Sequence, residues 1–412
     1  MSSLGDRRLP PLRYLALGTA LFLLLVHFVA LLSAPSYAST SQRTYENLRG
    51  KLGLGSDSMP VQLDRAGGGS ELSRTGGGAA AEWARLEGDQ VGTNTTLANA
   101  AFVFLSRNED LWDVVPAMQS LLDRIPKARP YPWVFLNDKE YTDEFKRATS
   151  AVATGPCHYG VVPKEHWEEP SWIDEGRASE ARKKMEEDKV IYGGSKTYRR
   201  MCRYQSGFFF RHPLVQQYDY YWRIDPGVKF YCDIDYDPFV YMRGNGKQYG
   251  FTVSLYEYEA TIPTLWKTTK DFVDQNPQYL AKPNALDWIS NDKGETYNRF
   301  HFWSNFEIGS LAFFRSEAYL KYFEHLDRSG GFSYERWGDA PVHSLAVALF
   351  LKPDEVHYFK DMGYFHNPFL TCPKDPAVLA KGRCSCDPNH QNNFYSHWYS
   401  GSEKWVELFG NT

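Results

Sequence analysis

The sequence has almost no net charge: 46 Lys+Arg stand against 50 Asp+Glu over 412 residues, leaving −4. That balance excludes a globally basic nucleic-acid binder, so no nucleic-acid partner is expected. Aromatic residues are scarce at the front. Only Tyr14, Phe22, Phe28, Tyr37, Tyr45 and Trp83 occur in the first 96 residues, and the other 59 fall in the 316 that follow. Glycine runs the opposite way, with 11 of 32 between positions 34 and 96. Low hydrophobicity and glycine entropy make this stretch a flexible stem rather than a core-forming unit. Cysteine is sparse at six residues, and Cys384-x-Cys386 has no second Cys/His pair at matched spacing, which argues against zinc. There is no internal repeat and a single glycosylation sequon, Asn94-Thr95-Thr96.

What is present at the front is one long apolar run. Residues 14–32 contain nineteen residues with no formal charge. As a helix they would rise about 28 Å, close to the hydrocarbon thickness of a bilayer. Arg7, Arg8 and Arg13 precede the run, so the positive-inside rule keeps the N-terminus in the cytoplasm. A cleaved signal peptide is the competing reading, but its apolar core usually spans roughly 7–15 residues. The expected layout is a cytoplasmic tail (1–13), a transmembrane signal anchor (14–33), a lumenal stem (34–96) and one globular domain (97–412). Cys157, Cys202, Cys232, Cys372, Cys384 and Cys386 would all be lumenal, where disulfides are permitted. The pairing stays open, although Cys384 and Cys386 are expected to bond other partners than each other.

The globular part begins with a short apolar run at 101–105. Ser106 and Glu109 then resemble a capping box ahead of Leu111, Val114, Val115, Met118, Leu121 and Leu122, which have helical spacing; Pro126 closes that helix. A second buried strand reads at 133–137, followed by a polar helical stretch to about Thr149. Strand–helix–strand–helix predicts a βαβ unit and a mainly parallel sheet, with ligands at the carboxyl ends of the strands. Arg107, just past the first strand, is placed to meet a nucleotide or phosphate, or is simply a surface arginine. A further β-prone run, 217–224, stops at Asp225-Pro226-Gly227, and a strand-like stretch at 228–232 leads into Asp233-Ile234-Asp235. Carboxylates at such an edge suit a hard divalent cation holding phosphate oxygens. Asp225 and the D-x-D compete for that role. If 231–236 is a strand, Asp233 and Asp235 share one face that can be merely solvated.

Six blocks together carry a family resemblance. They are Tyr198-Arg-Arg-Met-Cys-Arg-Tyr204, Ser206-Gly-Phe-Phe-Phe-Arg-His-Pro213, Tyr220-Tyr-Trp-Arg-Ile-Asp-Pro226, His301-Phe-Trp-Ser-Asn-Phe-Glu-Ile-Gly309, Gly330-Gly-Phe-Ser-Tyr-Glu-Arg-Trp-Gly-Asp-Ala-Pro-Val-His-Ser344 and Gly363-Tyr-Phe-His366. Residues 100–386 resemble the fungal α-1,2-mannosyltransferases of glycosyltransferase family 15, type II Golgi membrane enzymes. The resemblance implies an α/β, GT-A-like nucleotide-sugar transferase domain with a mixed, mainly parallel sheet, preceded by one transmembrane helix. It implies retaining transfer of mannose from GDP-mannose to a mannose hydroxyl on O- and/or N-linked glycans, with Mn²⁺ as cofactor.

Residue by residue, the resemblance places Asp225 and His366 on the metal. The family carries Glu-Pro at the strand end, so Asp225 is one methylene short. Glu307 matches the candidate nucleophile, or else serves as an electrostatic and hydrogen-bonding aid. An acid between Phe306 and Ile308 is costly to bury unpaired, so it must face a cavity, find a partner or be protonated. Tyr198 matches a tyrosine near donor and acceptor sugars, with a packed core tyrosine as the plain alternative. Asp339 is a candidate base near the acceptor hydroxyl or a loop-ordering residue. Glu335 and His343 are secondary candidates, and a structural role is expected for His343. The rival reading is a non-catalytic lumenal mannan-binding or scaffold protein on the same fold.

Overall fold

The computed structural model describes residues 96–126, 129–395, 397 and 399–410. The proposed anchor at 14–33, the stem to residue 95 and Asn94 lie outside the described residues. Among the described residues no helix is long and apolar enough to cross a membrane.

The first strand, β1 (Ala100–Leu105), is apolar throughout because both of its faces are covered. Ala101 and Val103 point into one core, and Phe102 and Phe104 into the other. Around it lie β2 (Trp133–Asn137), β3 (Cys157–Val161), β4 (Tyr220–Ile224), β5 (Lys229–Phe230), β6 (Tyr249–Phe251), β7 (Ser254–Tyr256), β8 (Phe300–Phe302), β9 (Phe306–Ser310), β10 (Val356–Tyr358), β11 (Tyr364–His366) and β12 (Phe369–Thr371). Seven of them form one sheet in the order β10-β6-β9-β4-β1-β2-β3. β1 runs parallel to β2 and β4, β2 to β3 and β6 to β10, whereas β9 is antiparallel to both β4 and β6. The sheet is therefore mixed and mainly parallel, as expected. β12-β11-β5 form a small antiparallel sheet, and β7 pairs with β8.

The helices of eight residues or more are α1 (Leu111–Leu122), α2 (Asp143–Val152), α3 (Glu175–Glu187), α4 (Lys196–Gly207), α5 (Leu265–Gln275), α6 (Glu317–Ser329), α7 (Asp339–Phe350) and α8 (Ser402–Phe409). α1 and α2 cover one face of the large sheet, and α4 to α7 contribute to the core on the other. Ser195 caps α4 by accepting the Tyr198 N–H at 3.1 Å, which fixes where Tyr198 enters the helix.

Three local expectations are corrected. The Ser106/Glu109 capping box does not form, because Ser106 is buried and its hydroxyl pairs with Tyr141 at 3.1 Å. Asp110 instead accepts the Arg107 N–H at 2.8 Å, and a 3-10 turn precedes α1. The helix itself stops at Leu122, ahead of Pro126. Residues 231–236 are not a strand. That segment is pinned by the Cys232–Cys384 disulfide, and Cys372–Cys386 is the second bond. Cys384 and Cys386 thus avoid each other, while Cys157 and Cys202 remain free thiols. Cys232–Cys384 ties the chain that follows β11, the strand that ends in His366, back to the segment after β5, and Cys372–Cys386 closes the loop downstream of β11.

Candidate active site

β4 alternates between the two cores. Trp222 and Ile224 pack into the one beneath α1, while Tyr221 and Arg223 point the other way, toward β9 and α7. The strand then ends at Asp225. Register sets Tyr221 opposite Gly309 and Arg223 opposite Glu307. A Cβ at Gly309 would stand 2.7 Å from the Tyr221 ring, so the absence of a side chain there lets that ring approach.

Arg223 is buried and forks onto Asp225, donating Nε to Oδ1 at 2.8 Å and Nη2 to Oδ2 at 3.1 Å. Its Nη1 donates to Asp339 Oδ2 at 2.5 Å. Asp339, the first residue of α7, also accepts the Ser304 hydroxyl at 2.7 Å. Burial alone would lower the Arg223 pKa, but Asp225 and Asp339 hold it well above the usual guanidinium value. Burial would likewise raise Asp339, yet the charges of Arg223 and His343 keep it below the usual carboxylate value.

Glu307 has no exposed surface. Its Oε1 accepts from Tyr221 at 2.6 Å, and its Oε2 accepts from Tyr249 and faces His343 Nδ1, each at 2.9 Å. The other His343 nitrogen faces the Gln205 carbonyl at 3.1 Å. With both ring nitrogens against acceptors and two tyrosines donating to the acid, the pair is an imidazolium and a carboxylate. Burial pushes the His343 pKa down, but Glu307 outweighs it and the net shift is upward. Of the options left open for a buried acid, Glu307 has taken partners, and in this arrangement it touches no open space. Of the two roles the resemblance implies, a nucleophile must stand against the sugar's reactive carbon, whereas an electrostatic and hydrogen-bonding aid need not.

His366 closes β11, which runs antiparallel to β5 just after the Asp225-Pro226-Gly227 turn. Gly227 has φ +81°, and its N–H bonds the Asp113 carbonyl at 3.1 Å, which seats the turn against α1. His366 lies edge-on to Trp303, ring centroids 5.0 Å apart. Burial lowers its pKa and the Asp225 carboxylate opposes the shift; the β11–β5 pairing is what brings His366 to the Asp225 turn. Its Nδ1 is 3.2 Å from the Asn367 carbonyl, an acceptor only, which puts the proton on Nδ1 and a free lone pair on Nε2. A carboxylate with a lone-pair imidazole nitrogen fits a manganese ion. Among the described residues no group of three or more His, Cys, Asp or Glu is placed to hold a metal. The rest of such a shell would have to come from ligand oxygens.

Tyr198 stacks on Tyr192 at 4.4 Å and accepts from Arg336 Nη1 at 3.2 Å. Arg336 also meets Glu257 at 3.3 Å. Burial drives the Tyr198 pKa well above its ordinary value, so its hydroxyl stays protonated and works by hydrogen bonding. Arg107 stands at the carboxyl edge as expected, 63% exposed, but its charge is already matched by Asp110 at 2.7 Å. The D-x-D is bound elsewhere. Asp233 is gripped by Arg124 at 2.9 Å and by Arg383, and Asp235 lies 3.4 Å from Lys381. Glu335 accepts from Thr264 Oγ1 and Trp337 Nε1 at 2.8 and 2.5 Å, which makes it a clamp between segments. A separate cleft of about 1160 Å³, lined by Trp172, Phe208, Arg211 and Phe323 among others, contains none of these residues.

The residues that sequence reasoning passed over are Arg223, Tyr221, Tyr249, Ser304 and Arg336. Arg223 carried a readable signal: an arginine between Trp222 and Ile224 in a strand buried on both faces must find an anion, and Asp225 lies two residues on.

Comparison with known proteins matches residues 80–410 to the family described as glycolipid 2-alpha-mannosyltransferase. Glycolipid 2-alpha-mannosyltransferase 1 of Candida albicans is 49% identical over 384 residues, covering 91% of this chain and 89% of that one. Core-mannan synthase A from Aspergillus fumigatus, solved in a Mn/GDP form, superposes with TM-score 0.71 at 41% identity over 77% of this chain and 88% of that one. The mannosyltransferase Ktr4p of Saccharomyces cerevisiae in complex with GDP gives TM-score 0.72 at 38% identity over 76% and 82%.

Proposed function

The chain belongs to the glycolipid 2-alpha-mannosyltransferase family, glycosyltransferase family 15, and from that premise we propose how its own residues carry out the transfer. It is a GDP-mannose-dependent α-1,2-mannosyltransferase acting on glycans, and not a non-catalytic binding protein on the same fold. The observation that supports the site assignment is the antiparallel pairing of β11 with β5, which brings His366, the last residue of β11, to the chain just after the Asp225 turn although the two lie far apart in sequence.

In this reading Asp225 and His366 would hold Mn²⁺, with the diphosphate completing its shell. The ion, when bound, neutralises the charge that develops on the departing diphosphate. The Mn/GDP form of the Aspergillus relative supports the choice of metal. Arg107 reaches the diphosphate by leaving Asp110, and Tyr198 orients sugar hydroxyls while Arg336 fixes its own hydroxyl. Transfer retains the α configuration by attack on the face from which GDP departs. The C1–O bond to GDP breaks as the acceptor's O2 bonds C1, and the acceptor proton passes to the departing diphosphate oxygen. This route is favoured because Glu307 is enclosed, and because Asp339 is held ionised by two donors and is a weak base. Both carboxylates then act through the groups they position. Golgi residence, a single-pass type II anchor and a mannose-terminated O- or N-linked acceptor complete the proposal.

The test is Mn²⁺-dependent GDP release from GDP-mannose with methyl α-mannoside as acceptor, followed by linkage analysis of the product. An α-1,2-linked mannobioside is expected. A product of another linkage, or GDP release that ignores Mn²⁺, would overturn the reading of the site.

A further inference from the structure

We infer that Arg223 is a positioning residue that sets how tightly a cation is held at Asp225, through a guanidinium shared between Asp225 and Asp339. This rests on the reading of Asp225 as a metal ligand. Arg223 is 6% exposed, so water cannot substitute for its carboxylate partners. It donates to both oxygens of Asp225, at 2.8 and 3.1 Å, and to Asp339 at 2.5 Å. Ser304 donates to the same Asp339 oxygen at 2.7 Å and holds that carboxylate in place. One planar group therefore spans two carboxylates that belong to different elements, the end of β4 and the start of α7.

A divalent cation arriving at Asp225 meets oxygens that already accept from a guanidinium, with a like charge close by. Arg223 therefore weakens cation binding while it fixes the direction in which the carboxylate points. The share of the guanidinium that Asp339 draws decides how much is left on Asp225. Asp339 thus influences the metal without touching it, and α7 is coupled to the metal edge through one side chain. A fork of this kind requires arginine, because a lysine ammonium is a point charge that cannot span both acids in a plane.

The coupling gives two variants opposite signs. Arg223→Met removes the competing charge, so Mn²⁺ should bind about threefold or more tighter, as expected for one unit charge lost near a partly screened ion. Its kcat should fall, because Asp225 is no longer aimed. A merely structural lesion would weaken both binding and turnover. Asp339→Asn keeps the size and the Ser304 contact but removes the negative charge that draws the guanidinium away from Asp225, so Mn²⁺ should bind about threefold or more weakly.

The measurement is the free Mn²⁺ signal in electron paramagnetic resonance as the ion is titrated into the full chain saturated with GDP. Wild type comes first: no Mn²⁺ binding there removes the metal reading itself. Binding in wild type with variants that do not shift, or that shift in the same direction, removes this inference alone. Should Arg223→Met not fold, Asp339→Asn decides: weaker binding supports the shared guanidinium, and unchanged or tighter binding overturns it.

Discussion

Arg223 and Glu307 face each other across the β4–β9 pair, a buried cation opposite a buried anion, and each takes its hydrogen bonds elsewhere. Arg223 turns toward the strand end, to Asp225 and Asp339; Glu307 turns inward, to Tyr221, Tyr249 and His343. Two polar networks result, one reaching the carboxyl edge of the sheet at Asp225 and one sealed behind it. Buried charge is tolerated when it is paired and hydrogen-bonded, and the charges of both networks have such partners. The sealed one supports the strand from which the edge one projects.

Glu307→Gln should therefore act on stability and turnover together. Glutamine keeps the shape but leaves the His343 imidazolium without its counter-charge, and breaking a buried pair typically costs about 3–5 kcal/mol. The affinity for GDP-mannose should change little, because Glu307 touches no open space. Calorimetry should show a lower midpoint, and kinetics a lower kcat at nearly constant KM. A stable variant with full turnover would mean that the buried carboxylate supports neither property.

The same pair predicts a pH dependence with a definite sign. The His343 pKa is raised in the folded chain, burial opposing and Glu307 prevailing. An unfolded histidine titrates near ~6.5. The stabilisation is therefore complete below the unfolded value and is lost as pH rises through the higher folded one. The midpoint difference between wild type and His343→Gln should be largest in mild acid and shrink on the alkaline side. A difference that widens with pH would contradict the ion pair.

β1 and β2 are legible in the sequence because a strand covered on both faces reads as an unbroken apolar run. The start of α1 is not, because the Ser106 hydroxyl is drawn away by Tyr141, a partner that no local pattern reveals. Asp225 is marked by the end of an aromatic strand, and Arg223 is legible in principle from its spacing. His366 has no local signal at all. It comes to the edge because β11 pairs with β5 and the Cys232–Cys384 bond fastens the chain after it, relationships that close over long stretches. Only the family resemblance marks it, whereas Glu307 is marked as an acid between Phe306 and Ile308, although its partners on β4, β6 and α7 have no local signal.

If residues 14–33 anchor the chain with its globular part in the lumen, protease added to intact microsomes should spare that part and detergent should expose it. Endoglycosidase should shift its mobility through Asn94, the one sequon. Digestion without detergent would invert the orientation drawn from Arg7, Arg8 and Arg13.

The metal assignment makes the sharpest demand, because two carboxylate groups competed for it and their surroundings differ. Asp233 is held by Arg124 and Arg383 beside the Cys232–Cys384 bond, and Asp235 is 64% exposed near Lys381. Neither has an imidazole partner among those contacts. The β11–β5 pairing brings His366 to the Asp225 turn. Asp225→Ala and His366→Ala should each raise the Mn²⁺ concentration for half-maximal rate by about tenfold or more, since even outer-shell changes at metal sites act on that scale. Asp225→Glu should retain or improve activity, because it restores the reach of the family's Glu-Pro. The Asp233→Asn, Asp235→Asn double variant should leave the Mn²⁺ dependence nearly unchanged and lose some stability instead, because two arginines lose their acceptor. Rate against Mn²⁺ concentration, measured for all four variants beside their thermal midpoints, separates the two assignments. The assignment fails if the double variant loses Mn²⁺ dependence while Asp225→Ala keeps it.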